Sequence, residues 1–275
     1  MTVQAIRAAA IDVLLADTPS LKCSAAHRLL RLWATGKTTV SSNKKTVDIA
    51  VPNTPGRPLR PALVNPRDVK RRRLGSVEGR IALLHAIAHI EFNAINLAAD
   101  MVARFAMNRR IADAVRADFI TDWVSVCDDE ARHFAMINTR LIEMGSKYGD
   151  LPAHNGLWDA ALSTKNDLAA RLVVAPMVLE ARGLDVTPKM IQNLQKFGDD
   201  ASATILTTIL EEEIAHVAAG AHWFSHICKN EKRSESPYFR ELLATHFKGS
   251  LKPPFNEKAR EKAGLPRTFY DHQPC

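Results

Sequence analysis

The sequence predicts an all-α fold: four long helices packed as a bundle with one long crossover, preceded by an N-terminal helical extension and followed by a C-terminal tail. Three observations carry this. Apolar residues recur at helical spacing over several long stretches. No stretch shows the period-two alternation of a half-buried strand. Glycine and proline gather near 52–66 and 253–266, outside the longest periodic stretches.

In chain order, residues 2–16 (TVQAIRAAAIDVLLA) and 24–35 (SAAHRLLRLWAT) read as helices. Ile6, Ala9 or Ala10, Val13 and Leu14 follow helical spacing in the first, and Thr18 or Ser20 is placed to cap the second. From about 37 to 77 the pattern dissolves. The proline-rich VPNTPGRPLRPALVNP should be an extended, packed loop, and it leads to the basic run KRRR at 70–73. Ser76 opens a long helix that runs to about Phe105, and a second spans 108–145, ending at Gly145. About twenty residues of connection follow. The third helix, NDLAARLVVAPMVLEARG, should be kinked by Pro176 and closed by Gly183. LDVTP should be a break, KMIQNLQKFGD a short helix, and 199–229 the fourth long helix, with a polar tail after it. The expected organisation is 1–75, a helical hairpin with a packing loop; 76–230, the four-helix bundle; and 231–275, the tail.

Composition narrows the function classes. With 275 residues and 46% hydrophobic content, a sizeable core forms. No basic-flanked apolar leader with a small-residue cleavage site is evident, and no run of about 18 uncharged apolar residues argues for a membrane span. Cys23, Cys127, Cys228 and Cys275 lie far apart without a CxxC spacing. That argues against a disulfide framework or zinc site and fits a reducing cytoplasm. The net charge of +7 suits an anionic partner, such as nucleic acid or a phosphorylated metabolite, or equally a solvated basic surface.

The chemistry sits in two short strings. Glu-x-x-His occurs as Glu130/His133 in DEARHF and as Glu213/His216 in EEEIAHV. Positions i and i+3 share a helix face, so one carboxylate and one imidazole can grip the same cation. Both pairs lie in apolar stripes, the first among Trp123, Val126, Cys127, Phe134 and Ile137, the second among Leu206, Ile209, Leu210 and Val217. Glu91 and Glu180 lie in apolar stripes of the other two helices. Four buried carboxylates without compensation are very costly, and two divalent metals between four helices remove the problem. Mixed carboxylate and imidazole ligands suit iron or manganese better than zinc or calcium. The candidate ligands are therefore Glu91, Glu130, His133, Glu180, Glu213 and His216. The competing reading for any one of them is a surface pair, or a core glutamate satisfying a backbone break. His85 and His89, one turn apart, stand close enough to compete with Glu91; with His222 and His226 they read more as packing or supporting groups than as ligands. Trp158 reads as a core plug.

The order Glu91, Glu130-x-x-His133, Glu180, Glu213-x-x-His216 resembles the ferritin-like di-iron superfamily. The stretches RRRLGSVEGRIALLHAIAHIEFNAINL, DDEARHF, LWDAAL, LEARGLDVTP and EEEIAHV look closer still to one bacterial branch, the ferritin-like domain-of-unknown-function family 455, over roughly 55–230. The resemblance implies a ferritin-like four-helix bundle and a metal site of two iron ions, with manganese or a mixed manganese–iron pair as alternatives. It does not imply a substrate. Asn93 and Asn96 depart from the longer or acidic residues expected there, which bears on the contacts around Glu91. DEARH also resembles the Asp-Glu-x-Arg-His string of di-iron oxygenases and desaturases. By that likeness Asp129 would hold His216, Glu212 would hold His133, and Arg132 would balance the charge, whereas a solvated helix face is the plainer role for all three.

Three functions follow as expectations. The first is a di-iron oxidase or oxygenase that activates dioxygen on an organic substrate, with Glu130 and Glu213 central to catalysis and an electron donor as partner. The second is a tRNA-modifying di-iron hydroxylase, motivated by the basic balance and residues 70–73, although no RNA-binding module is visible. The third is iron storage or detoxification, against which the long extensions speak.

Overall fold

The computed structural model describes residues 2–36, 50–69 and 73–270. It is all-helical. Among these residues the one extended pairing is a single bridge between Leu63 and Ala153. The chain forms two compact units, Met1–Trp158 and Asp159–Cys275. Packing thus divides the chain at a point different from the changes in sequence character at 75 and 230.

The first unit holds α1 (Val3–Leu15), α2 (Pro19–Thr35), α3 (Val77–Phe105) and α4 (Arg116–Glu143). The first three start at hydroxyl caps. Thr2 accepts from the Ala5 amide, Thr18 from Leu21 with Pro19 at the first helical position, and Ser76 from Gly79. α4 begins at Arg116 rather than near 108. The buried Arg116 guanidinium donates to the carbonyls of Ala106 (2.6 Å) and Ile111 (2.7 Å), so the connecting turn is satisfied without helix. α1 and α2 pack on α3 and α4, so the N-terminal hairpin shares a core with the two long helices, built on Ile6, Leu14, Leu29, Leu84, Ile95, Phe119 and Trp123. α3 is long and apolar enough to cross a membrane by length and composition, with mean hydropathy 1.4 over its best window, yet 67% of that window is buried inside the protein.

The proline-rich segment is extended and packed, as expected. The Gly56 amide donates to Leu14 O (2.7 Å), Val64 to Ala153 O, and Ala153 back to Ala62 O. A Cβ at Gly56 would lie 2.2 Å from Leu15 O, so no side chain fits where this strap crosses the end of α1. Trp158, 2% exposed, plugs the same unit and donates to Asn53 O (2.9 Å). Residues 37–49 of the expected loop, and 70–72 of the basic run, lie outside the described residues.

The second unit receives α5 (Gly156–Ser163) and holds α6 (Leu168–Val174), α7 (Ala181–Lys196), α8 (Asp200–Glu231), α9 (Glu235–His246) and α10 (Glu257–Lys262). Three expectations are corrected here. The helix does not close at Gly183 and LDVTP is not a break: α7 runs through both to Lys196, with Pro188 inside it. Proline removes the amide that would have bonded Leu184 O. The Asn256 side chain supplies a donor to that carbonyl instead (3.1 Å). Nor is 231–275 merely polar. Tyr238, Phe239, Leu242, Phe269 and Tyr270 are buried, and Arg260 forms a buried two-pronged ion pair with Asp185 (2.8 and 2.7 Å). At Pro176 the helix is not simply kinked. Ala175–Glu180 forms a π-helical turn between α6 and α7.

Candidate metal centre

In the first unit α3 and α4 bring three of the sequence-predicted residues together. Each helix buries its apolar stripe, and the stripe carries Glu91 on α3 and Glu130 and His133 on α4. His133 Nδ1 lies 3.4 Å from Glu91 Oε2 and 3.7 Å from Glu130 Oε2. One ligand atom from each of the three lies within 4.8 Å of the others. Glu130 and His133 are 0% exposed and Glu91 4%. Phe92 and Phe134, next in sequence to Glu91 and His133, meet with ring centroids 5.5 Å apart.

Burial alone would lower the His133 pKa, but hydrogen bonding and charge from Glu130 and Glu91 reverse that and push it up to about 11. Two buried carboxylates beside one imidazole thus favour positive charge at this position. A divalent ion suits the same position. Its donors would be two carboxylates and an imidazole, a hard-to-borderline set matched to iron or manganese, whereas a structural zinc site favours thiolates.

The second unit carries the other three candidates on separate elements. Glu213 and His216 stand one turn apart on α8, with Glu213 Oε1 3.5 Å from His216 Nδ1. His216 is 2% exposed. Glu180 is the last residue of the π turn. The extra residue in such a turn changes where the side chains within it point, Glu180 among them. α8 reaches this turn closely because residue 220 is glycine. A Cβ there would come within 2.4 Å of Pro176 Cγ.

The supporting residues expected from DEARH are partly placed. Arg132 Nη2 donates to Asp129 Oδ1 (2.8 Å) across one turn of α4, with both side chains more than a third exposed. Glu212 is half-buried on α8.

His85 and His89 do not compete for Glu91. They lie on another side of α3 and hold the crossover. His85 Nε2 accepts from the amides of Gly149 (2.9 Å) and Leu151 (3.3 Å). His89 Nε2 donates to His154 O (2.9 Å), which leaves Nδ1 to accept from the Tyr148 hydroxyl (2.9 Å). Both imidazoles are therefore neutral. Burial lowers the pKa of each, that of His89 to about 4. The asparagines that depart from the resembled pattern find their reason on this same side. Asn93 Nδ2 donates to His89 O (2.8 Å), and Asn96 Oδ1 accepts from the buried Lys22 (2.8 Å). Sequence reasoning did not single out Lys22 or Tyr148. Lys22 carried a signal in retrospect, a lysine within an apolar helical face; Tyr148 stands in a loop without period.

Comparison with known proteins agrees with the family resemblance seen in the sequence. A family described as "Protein of unknown function (DUF455)" matches residues 15–271. An "Uncharacterized protein" of Haemophilus influenzae is 41% identical over 208 residues, covering 76% of this chain and 72% of that protein. No solved structure matches. With the family model matching nearly the whole chain and a relative this similar, the chain belongs to the DUF455 family.

Proposed function

We propose that this chain is a ferritin-like di-iron protein, an oxidase or oxygenase acting on an organic substrate, in which Glu91, Glu130, His133, Glu180, Glu213 and His216 hold two iron ions. The observation that carries the reading is the buried Glu91–Glu130–His133 cluster, with the same Glu-x-x-His pair repeated at Glu213/His216. When bound, a reduced iron pair supplies electrons to dioxygen. The protein's own contribution is positional. Glu130 and His133 project from one face of α4, fixed by the Trp123 and Phe134 packing around them. Phe92 and Phe134 keep water from the carboxylates of the first unit, which strengthens their hold on a cation. The π turn aims Glu180, and α8 presents Glu213 with His216. By the likeness of DEARH, Asp129 and Glu212 would orient the ligand imidazoles; Asp129 itself accepts from Arg132.

The test is elemental analysis of protein expressed with ample iron, followed by oxygen-uptake measurements on Glu130→Ala and Glu213→Ala. The expected result is about two metal ions per chain in the wild type, with reduced metal binding and oxygen uptake lost in both variants while far-UV circular dichroism is unchanged. Removing a buried carboxylate leaves the metal-free chain as stable or more so. No transition metal in the wild type, or oxygen uptake unchanged from the wild type in both variants, overturns the proposal.

A further inference from the structure

The C-terminal half of α8 carries two histidines one turn apart, His222 and His226, with Asn230 a further turn on. In the sequence they read as packing or supporting groups. In the fold His222 is exposed and His226 half-buried, while Trp223, between them in sequence, is 1% exposed. Both imidazoles stand crosswise to that indole, with ring centroids 4.9 Å away for His222 and 5.4 Å for His226. One buried ring thus steadies both imidazoles.

Positions i and i+4 lie about 6 Å apart along a helix and roughly 40° around it, so two imidazoles there can reach one ion. His222 stands about 9 Å further along α8 than His216 and roughly 120° around it, so this pair is separate from Glu213 and His216. The ring nitrogens are available. His222 makes no hydrogen bond among the described residues. His226 Nε2 lies 2.8 Å from Nδ2 of the exposed Asn230, so Nε2 is the unprotonated nitrogen of a neutral ring. An exposed amide gives way to a stronger partner at little cost. Burial first, then the charges of His222 and Lys229, lowers the His226 pKa, which keeps that ring in its ligating form. Lys229 is itself exposed and free to turn its long side chain away from an ion.

We propose that His222 and His226 form a surface site for a borderline divalent first-row cation, copper(II) held tightest, with two imidazole nitrogens as ligands and water in the remaining positions. Imidazole suits copper, nickel and zinc, and affinity among these ions peaks at copper(II). Magnesium and calcium call for oxygen ligands, which this pair does not offer. Two ligands on successive turns of one helix are already side by side, so little order is lost on binding. The site does not depend on whether iron is held by the buried carboxylates.

The test uses the untagged full chain. Nickel(II) on a chelating resin reaches only surface imidazoles, and the chain should be retained, eluting at lower imidazole concentration as His222→Gln or His226→Gln. Copper(II) titrated calorimetrically should bind saturably, weakened about tenfold or more in either variant, because a second ligand held nearby acts at high effective concentration. The paramagnetic resonance spectrum of this copper(II) should show splitting from two nitrogens, and from one in either variant. Retention and copper(II) affinity unchanged in both variants overturn the proposal. A loss in one variant alone leaves a lone imidazole and overturns chelation. The copper(II) equivalent should persist in Glu130→Ala; its disappearance there would assign it to the carboxylate cluster and overturn the site. Magnesium(II) binding that is lost in His222→Gln overturns the assignment of ion class. Circular dichroism checks folding, and if His226→Gln does not fold, the exposed His222→Gln decides alone.

Discussion

Lys22 is 0% exposed, and its ammonium is hydrogen-bonded on three sides, to Val13 O (2.8 Å), Leu14 O (3.2 Å) and Asn96 Oδ1 (2.8 Å). It caps the C-terminal end of α1, where carbonyls lack intrahelical donors, and ties it to α3. Burial nevertheless lowers its pKa from 10.5 to about 7. Two opposed effects thus meet in one side chain, and removing it alone forfeits the favourable one. Lys22→Met is expected to cost about 2 kcal/mol, because Val13 O and Asn96 Oδ1 lose a buried donor, while Leu14 O keeps the Gly56 amide. Adding Asn96→Leu should recover part of that loss, since no amide oxygen is then stranded. Urea unfolding of the single and double variants measures the difference. Equal destabilisation in the two would show that the Lys22–Asn96 contact contributes nothing.

The two devices that interrupt the helices of the second unit can each be tested by a small substitution. Gly220→Ala puts a methyl within van der Waals overlap of the Pro176 ring, and the π turn must move. A cost of about 1–3 kcal/mol is expected; if Glu180 ligates metal, the variant should also hold less iron by elemental analysis. At Pro188 the relevant experiment is a double-mutant cycle. Asn256→Ala strands Leu184 O and removes the cap that Asn256 gives α10, for a loss of about 1–3 kcal/mol. In a Pro188→Ala background the restored amide can bond Leu184 O, and the loss should shrink to the cap alone. Additive losses would refute this account. The same elements show what the sequence discloses and what it hides. The long helices were legible because their apolar residues repeat on one face, and Glu91, Glu130 and Glu213 stood out because carboxylates interrupt those faces. The continuation through Pro188 was not legible, because the donor that permits it arrives from Asn256, far along the chain in a segment without period. The π turn was half legible: Pro176 signalled a disturbance, and only packing against Gly220 decides its form.

For the molecule as a whole, His85 and His89 predict an acid weakness. Both are neutral in the folded chain and titrate near 6.5 when unfolded. Below that value the unfolded chain takes up protons that the folded chain refuses, so stability falls as pH drops from 6.5 towards the folded value, about 4 for His89. Above pH 6.5 the contribution is complete. For His89 it is on the order of 3 kcal/mol. Urea unfolding at pH 7.5 and at pH 4.5 should show a steeper loss for the wild type than for His89→Gln, which keeps a donor for His154 O but has no proton to gain. Parallel losses would remove His89 from the explanation.

The π turn also constrains how this chain tolerates changes in length. A helix closed by i to i+5 bonds holds one residue more than the α-helix that would otherwise span the same segment. Deleting a single residue between Ala175 and Glu180 would let regular α-helix close from α6 into α7. The segment would then be locally more regular, and the helices on either side would keep their phase, because the residue lost is the one the turn holds in excess. Asp185, which anchors Arg260, would keep its place, and the change would fall on the side chains of the turn itself. The same deletion in the α-helix on either side would turn every later side chain by about 100°. These six residues are thus the place in this helical stretch where the loss of one residue is absorbed, at the expense of the direction in which the turn's own side chains point.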